Sequence, residues 1–118
     1  MKIAYISGSY TVKPWNKYLY PVWLPYKFIR LTLNIYRARK VAQRLWSKGY
    51  AVICPHMNSA YFKESAADYL AGDLEFIKRM NPKQDIMIML PGWESSAGSY
   101  KEWDLACKLE ILVLWETL

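Results

Sequence analysis

Residues 36–55 read YRARKVAQRLWSKGYAVICP, and this stretch decides the fold. Apolar residues at helical spacing lead into Lys48-Gly49, a late cation followed by glycine where a helix cap is expected. A continuous apolar run, 50–54, then stops at Pro55. A helix stopped by glycine and followed at once by a short buried strand is the second half of a strand–helix–strand unit.

Working upstream, the helical period extends back to about residue 26. Ile29, Leu33, Tyr36 and the group Val41, Ala42 and Leu45 form one mostly apolar stripe, with Arg37, Arg39, Lys40 and Arg44 largely off it. Residues 2–7 (KIAYIS) are a first buried strand ending at Gly8. Residues 12–25 contain three prolines and dense Trp and Tyr with no period, and are expected to be an ordered loop or lid. Downstream, 65–80 is a second helix, 85–90 (DIMIML) a third strand, 98–109 a third helix and 111–115 (ILVLW) a fourth strand.

The order is β-α-β-α-β-α-β, and the strands are unbroken apolar runs. That pattern predicts a parallel sheet covered on both faces. The expected fold is a three-layer α/β/α sandwich with a four- to five-stranded parallel sheet, Rossmann-like or flavodoxin-like. All 118 residues form one domain, with an aromatic, proline-containing insertion at about 12–33.

Charge is unevenly placed. Residues 1–50 carry ten bases and no acid, while residues 51–118 carry all ten acids and six bases. A basic half favours anionic partners without choosing among a phosphate ligand, a nucleic acid and a membrane surface. The hydrophobic content of 53% excludes a disordered, solvating chain. Cys54 and Cys107 have apolar neighbours and are expected to be reduced and buried, in keeping with a cytoplasmic protein. No secretory signal opens the sequence. The apolar stretch at 18–33 is interrupted by Pro21, Pro25, Lys27 and Arg30, so no membrane span or membrane partner is expected. His56 is the only histidine and the cysteines are far apart, so neither a metal site nor a cofactor is expected.

In a parallel sheet, ligands sit beyond the carboxyl ends of the strands. The loops of interest are therefore 8–15, 55–62 and 91–98. Gly8 and Ser9 offer backbone N–H groups, a hydroxyl and room for close approach. Ser96 and Gly98 open the third helix, where free N–H groups and the helix dipole suit a phosphate. Each feature alone is also ordinary turn or cap chemistry; the two converge on one sheet edge. Glu102 follows Gly98 by four residues, in the expected first turn, and Asp73 lies on the second helix. Two carboxylates beside a phosphate site suit glycosidic chemistry, one as nucleophile and one as proton handler. Read blandly, Asp73 is a solvated helix acid and Glu102 a helix-dipole acid. Tyr10, His56, Asn58 and Trp93, in the same loops, are candidates for contacts to a base or sugar.

The segments YISGSYT (5–11), NIYRARKVAQRLWSKGYAVICPHMNSA (34–60), YLAGDLEFIKRM (69–80) and DIMIMLPGWESSAGSYKEWDLA (85–106) resemble the nucleoside 2-deoxyribosyltransferase-like superfamily. They are most similar to its branch of small phage and bacterial proteins. Ser96, Gly98 and Glu102 match its Ser-x-Gly-x-x-x-Glu pattern, and Asp73-Leu74-Glu75 its upstream Asp-Leu-Glu. The resemblance implies a homodimer or higher homo-oligomer and a nucleotide or nucleoside substrate. It implies that Glu102 is the nucleophile forming a glycosyl-enzyme intermediate and that Asp73 assists proton transfer. It also implies that Gly8, Ser9, Ser96 and Gly98 hold a 5′-phosphate.

The expected function is therefore cleavage or base exchange at the N-glycosidic bond of a (deoxy)nucleoside 5′-monophosphate. The alternative is a protein that binds and sequesters a nucleotide or nucleotide-derived signal without chemistry. Nucleic-acid binding ranks below both, because much of the basic charge falls on one amphipathic helix.

Overall fold

The computed structural model describes residues 1–8, 20–55 and 66–116. Within them the chain runs β1 (Ile3–Ser7), α1 (Tyr20–Ser47), β2 (Ala51–Ile53), α2 (Ala66–Lys78), β3 (Ile86–Met89), a single 3-10 turn (Trp93–Ser95), α3 (Ala97–Lys108) and β4 (Leu112–Trp115). The four strands form one parallel sheet in the order β2-β1-β3-β4. Ile6 pairs with Ile88 and Ser7 with Met89, and Met89 pairs in turn with Trp115. This is the flavodoxin-like order, in which the topological switch point falls between β1 and β3.

Strand alternation sorts the core into two layers. Ala4, Ile6, Ile86, Ile88 and Leu90 pack against Ala38, Val41, Ala42 and Leu45 of α1. Tyr5, Met87 and Met89 pack against Ile77 of α2 and Ala106 of α3. One helix therefore covers one face and two cover the other, giving the expected sandwich. At its lower end the sheet is clasped by Asp85, whose buried carboxylate accepts the backbone N–H of Ile3 at 2.8 Å and of Asn81 at 2.6 Å. Gly49 closes α1 with φ +90°, a left-handed conformation that glycine adopts without strain.

Three expectations are corrected. Helix α1 begins at Tyr20, so 20–25 is helical and not loop. Pro21 and Pro25 lie in its first two turns, and only Pro25 is far enough in to give up an intrahelical bond. The part of the supposed lid at 12–19 lies outside the described residues. Among the described side chains of α1 the buried ones are Ala38, Val41, Ala42 and Leu45, whereas Ile29, Leu33 and Tyr36 are exposed. At 100° per residue those three fall on the opposite side of the helix from Ala38. Cys54 is buried as expected, but Cys107 is exposed, because one step past the buried Ala106 turns it away from the sheet. Among the described residues no helix is long and apolar enough to cross a membrane.

Candidate functional site

On β1, Tyr5 and Ser7 alternate with Ala4 and Ile6 and so face the α2–α3 layer. From α3, Ser99, Glu102 and Ala106 share one buried face, at helical spacing. These two rows meet at Glu102. The Tyr5 phenol donates to Oε2 of Glu102, and the Ser7 hydroxyl donates to Oε1 at 3.3 Å. Glu102 is only 6% exposed and lies in the second turn of α3, not the first, where it is too far in to act as a simple dipole acid.

The electrostatics follow from this burial. Loss of water pushes Glu102 up to about 7; the hydrogen bonds from Tyr5 and Ser7 oppose the rise, and the charge of Asp73 adds to it. Asp73, half-buried on α2, is pushed up to about 6 by burial. The Tyr5 phenol is held well above its usual range, first by burial and then by the charges of Glu102 and Asp73. Asp73, Glu102 and Tyr5 therefore form one electrostatic group. Two acids tuned toward neutrality can exchange a proton with a substrate near pH 7, and a desolvated carboxylate is a stronger nucleophile than a hydrated one.

Ser96 is the N-cap of α3, its Oγ accepting the Ser99 N–H at 3.2 Å. Among the described residues the Ser96 hydroxyl accepts this bond and donates none. The Ala97 and Gly98 N–H groups of the first turn have no partner within the helix and lie at its end nearest the carboxyl edge of the sheet. Gly98 is uncrowded: a Cβ there would make only ordinary contacts, 3.8 Å from Leu70 Cδ1 and from Ser96 Oγ. Gly8 differs. A Cβ on it would come within 2.8 Å of Leu90 Cβ, and the Leu90 N–H donates to the Ser7 carbonyl at 2.8 Å. Packing against β3 alone accounts for glycine at position 8.

Trp93 lies in the 3-10 turn and spends its ring faces on Tyr100, Trp103 and Trp115, with centroids 5.2, 5.6 and 5.3 Å away. Ser9, Tyr10, His56 and Asn58 lie outside the described residues. Among the described residues no three of His, Cys, Asp and Glu gather closely enough to hold a metal ion.

Three polar residues of this site carry no role in the sequence reading: Tyr5, Ser7 and Ser99. A signal for the first two was present, since a Tyr and a Ser two apart in an otherwise apolar strand must place their hydroxyls on one buried face.

The class defined by this fold and site is an α/β domain with flavodoxin-like strand order in which a buried and a half-buried acid lie in the helical layer that flanks the switch point. The sequence model described as Domain of unknown function (DUF4406) matches residues 33–115, and the chain belongs to that family. The matched stretch includes Asp73, Ser96, Gly98 and Glu102 and begins inside α1, so that β1 lies outside it. No curated protein matches the chain.

Proposed function

We propose that this domain cleaves or exchanges the N-glycosidic bond of a nucleoside 5′-monophosphate. The observation that carries this reading is Glu102, a buried carboxylate gripped by Tyr5 and Ser7 at the switch point of the sheet. Four residues separate it from Gly98, about 6 Å along the helix axis. That separation suits a ligand whose phosphate sits at the N-terminus of α3 and whose anomeric carbon reaches Glu102. The resemblance to nucleoside 2-deoxyribosyltransferase-like proteins supports the same assignment.

In this mechanism a Glu102 oxygen attacks the anomeric carbon as the bond to the base nitrogen breaks. The departing base takes a proton from Asp73. Water, or a second base, then attacks the same carbon and releases the Glu102 carboxylate, while Asp73 recovers a proton from the attacking group. Tyr5 and Ser7 orient the nucleophile. The Ser96 hydroxyl and the Ala97 and Gly98 N–H groups of α3 hold the phosphate.

The test is incubation with a panel of ribo- and deoxyribonucleoside monophosphates and chromatography for free base. Wild-type protein is expected to release base and Glu102→Ala to release none while keeping its circular dichroism spectrum. Full activity in the variant would remove Glu102 from the reaction. Tight nucleotide binding by calorimetry with no turnover would instead make the protein a sequestering one.

A further inference from the structure

Ser99 is 1% exposed, and among the described residues its Oγ has no hydrogen-bond partner. A helical serine can direct its hydroxyl to a carbonyl one turn back, but this one does not. A buried hydroxyl without a partner is destabilising, and alanine would fill the position at lower cost. Such a group is explained when something absent from the protein alone supplies the partner.

Its position says what that partner is. Ser99, Glu102 and Ala106 share the buried face of α3. Ala106 meets the apolar core and Glu102 meets Tyr5 and Ser7. Ser99 is one turn nearer the carboxyl edge of the sheet than Glu102. It stands between the N-terminus of α3, with its Ala97 and Gly98 N–H groups, and the carboxylate that would attack the sugar. In a nucleoside monophosphate, what lies between phosphate and anomeric carbon is the furanose, whose polar atoms are hydroxyls and a ring oxygen.

We propose that Ser99 is a substrate contact whose hydroxyl bonds to the sugar of a sugar 5′-phosphate. This rests on the function proposed above. Ser99 thereby discriminates ligands joining a phosphate to a pentose from a bare anion.

The experiment compares wild type with Ser99→Ala, and with Ser99→Cys as a variant of similar volume and poor hydrogen-bonding capacity. Melting temperature is measured without ligand. Affinity is measured by calorimetry for inorganic phosphate, ribose 5-phosphate, deoxyribose 5-phosphate and a nucleoside monophosphate. The expected result has opposite signs: Ser99→Ala melts higher without ligand, yet binds the three sugar phosphates about three- to tenfold more weakly, as loss of one neutral hydrogen bond predicts. Phosphate affinity is unchanged. Ser99→Cys repeats the loss of affinity. If both variants bind every ligand as wild type does, the inference fails while base release by wild type still upholds the proposed function. If phosphate and sugar phosphates weaken equally, the sugar assignment is overturned. If wild type binds none of the four and releases no base, the proposed function fails and Ser99 falls with it.

Discussion

The two faces of the sheet are built from alternate residues of the same strands, and they differ in kind. Toward α1 the sheet presents Ala4, Ile6, Ile86, Ile88 and Leu90, all apolar. Toward α2 and α3 it presents Met87 and Met89 but also Tyr5 and Ser7, which meet Glu102. The first face does nothing but pack. The second buries a carboxylate raised toward neutrality and a hydroxyl that has no partner among the described residues, both of which weaken a fold. Groups that lower stability and persist in a buried layer point to a use that the folded protein alone does not reveal.

Reciprocal substitutions should break this comparison most sharply. Ile6→Ala removes a fully buried side chain from the packing face and should lower stability by about 2–5 kcal/mol in urea denaturation. Turnover per folded molecule should not change. Glu102→Gln should do the reverse, abolishing base release while leaving stability at neutral pH equal to wild type or above it. If Ile6→Ala destroyed activity in molecules still folded, or Glu102→Gln unfolded the domain, the division of labour between faces would be wrong.

A pH titration of stability sharpens the same contrast at a smaller scale. Folding raises Glu102 from 4.5 to about 7 and Asp73 from 3.8 to about 6. The folded state therefore binds protons more tightly than the unfolded chain across that window. The stability these groups contribute is complete below their unfolded values and is lost as pH rises through about 6 and then about 7. Melting temperature should fall between pH 5 and pH 8, and Glu102→Gln should flatten most of that slope. Glu116, held below its usual range by Arg44, acts in the opposite sense but only at lower pH.

These differences between faces also decide what was legible in the sequence. The unbroken apolar runs place β3 and β4 to within a residue, but for different reasons: β3 is buried throughout, whereas Leu112, Leu114 and Trp115 of β4 are exposed at the edge of the sheet. The outer face of α1 misleads for a physical reason. Its 28 residues span about 42 Å, far beyond the sheet, and among the described side chains burial is confined to Ala38 through Leu45. Ile29, Leu33 and Tyr36 are apolar without facing the core, so a stripe drawn through them runs along the wrong side. Asp73 and Glu102 are named in the sequence chiefly by the family resemblance, since by spacing alone each reads equally well as an ordinary helix acid. Tyr5 and Ser7 are marked only by their two-residue spacing in an otherwise apolar strand, a signal that reads equally well as packing. Nothing in the sequence marks Ser99, whose significance is that its hydroxyl has no partner among the described residues.

The two glycines of the site give the smallest effect and a sharp separation. Both were expected to leave room for a phosphate, but the structure gives them different reasons for being glycine. At Gly8 a methyl group would collide with Leu90 Cβ at 2.8 Å, so Gly8→Ala should lower stability by about 1–3 kcal/mol as the strand end is forced from β3. At Gly98 a methyl group would sit 3.8 Å from its nearest neighbours, in a helix where alanine is favoured by roughly 1 kcal/mol. Gly98→Ala should therefore melt slightly higher than wild type. If an anion seats against the first turn of α3, the same methyl group stands in its way, and phosphate affinity measured by calorimetry should fall. A Gly98→Ala protein that is more stable and binds phosphate as well as wild type would show that this helix end holds no anion.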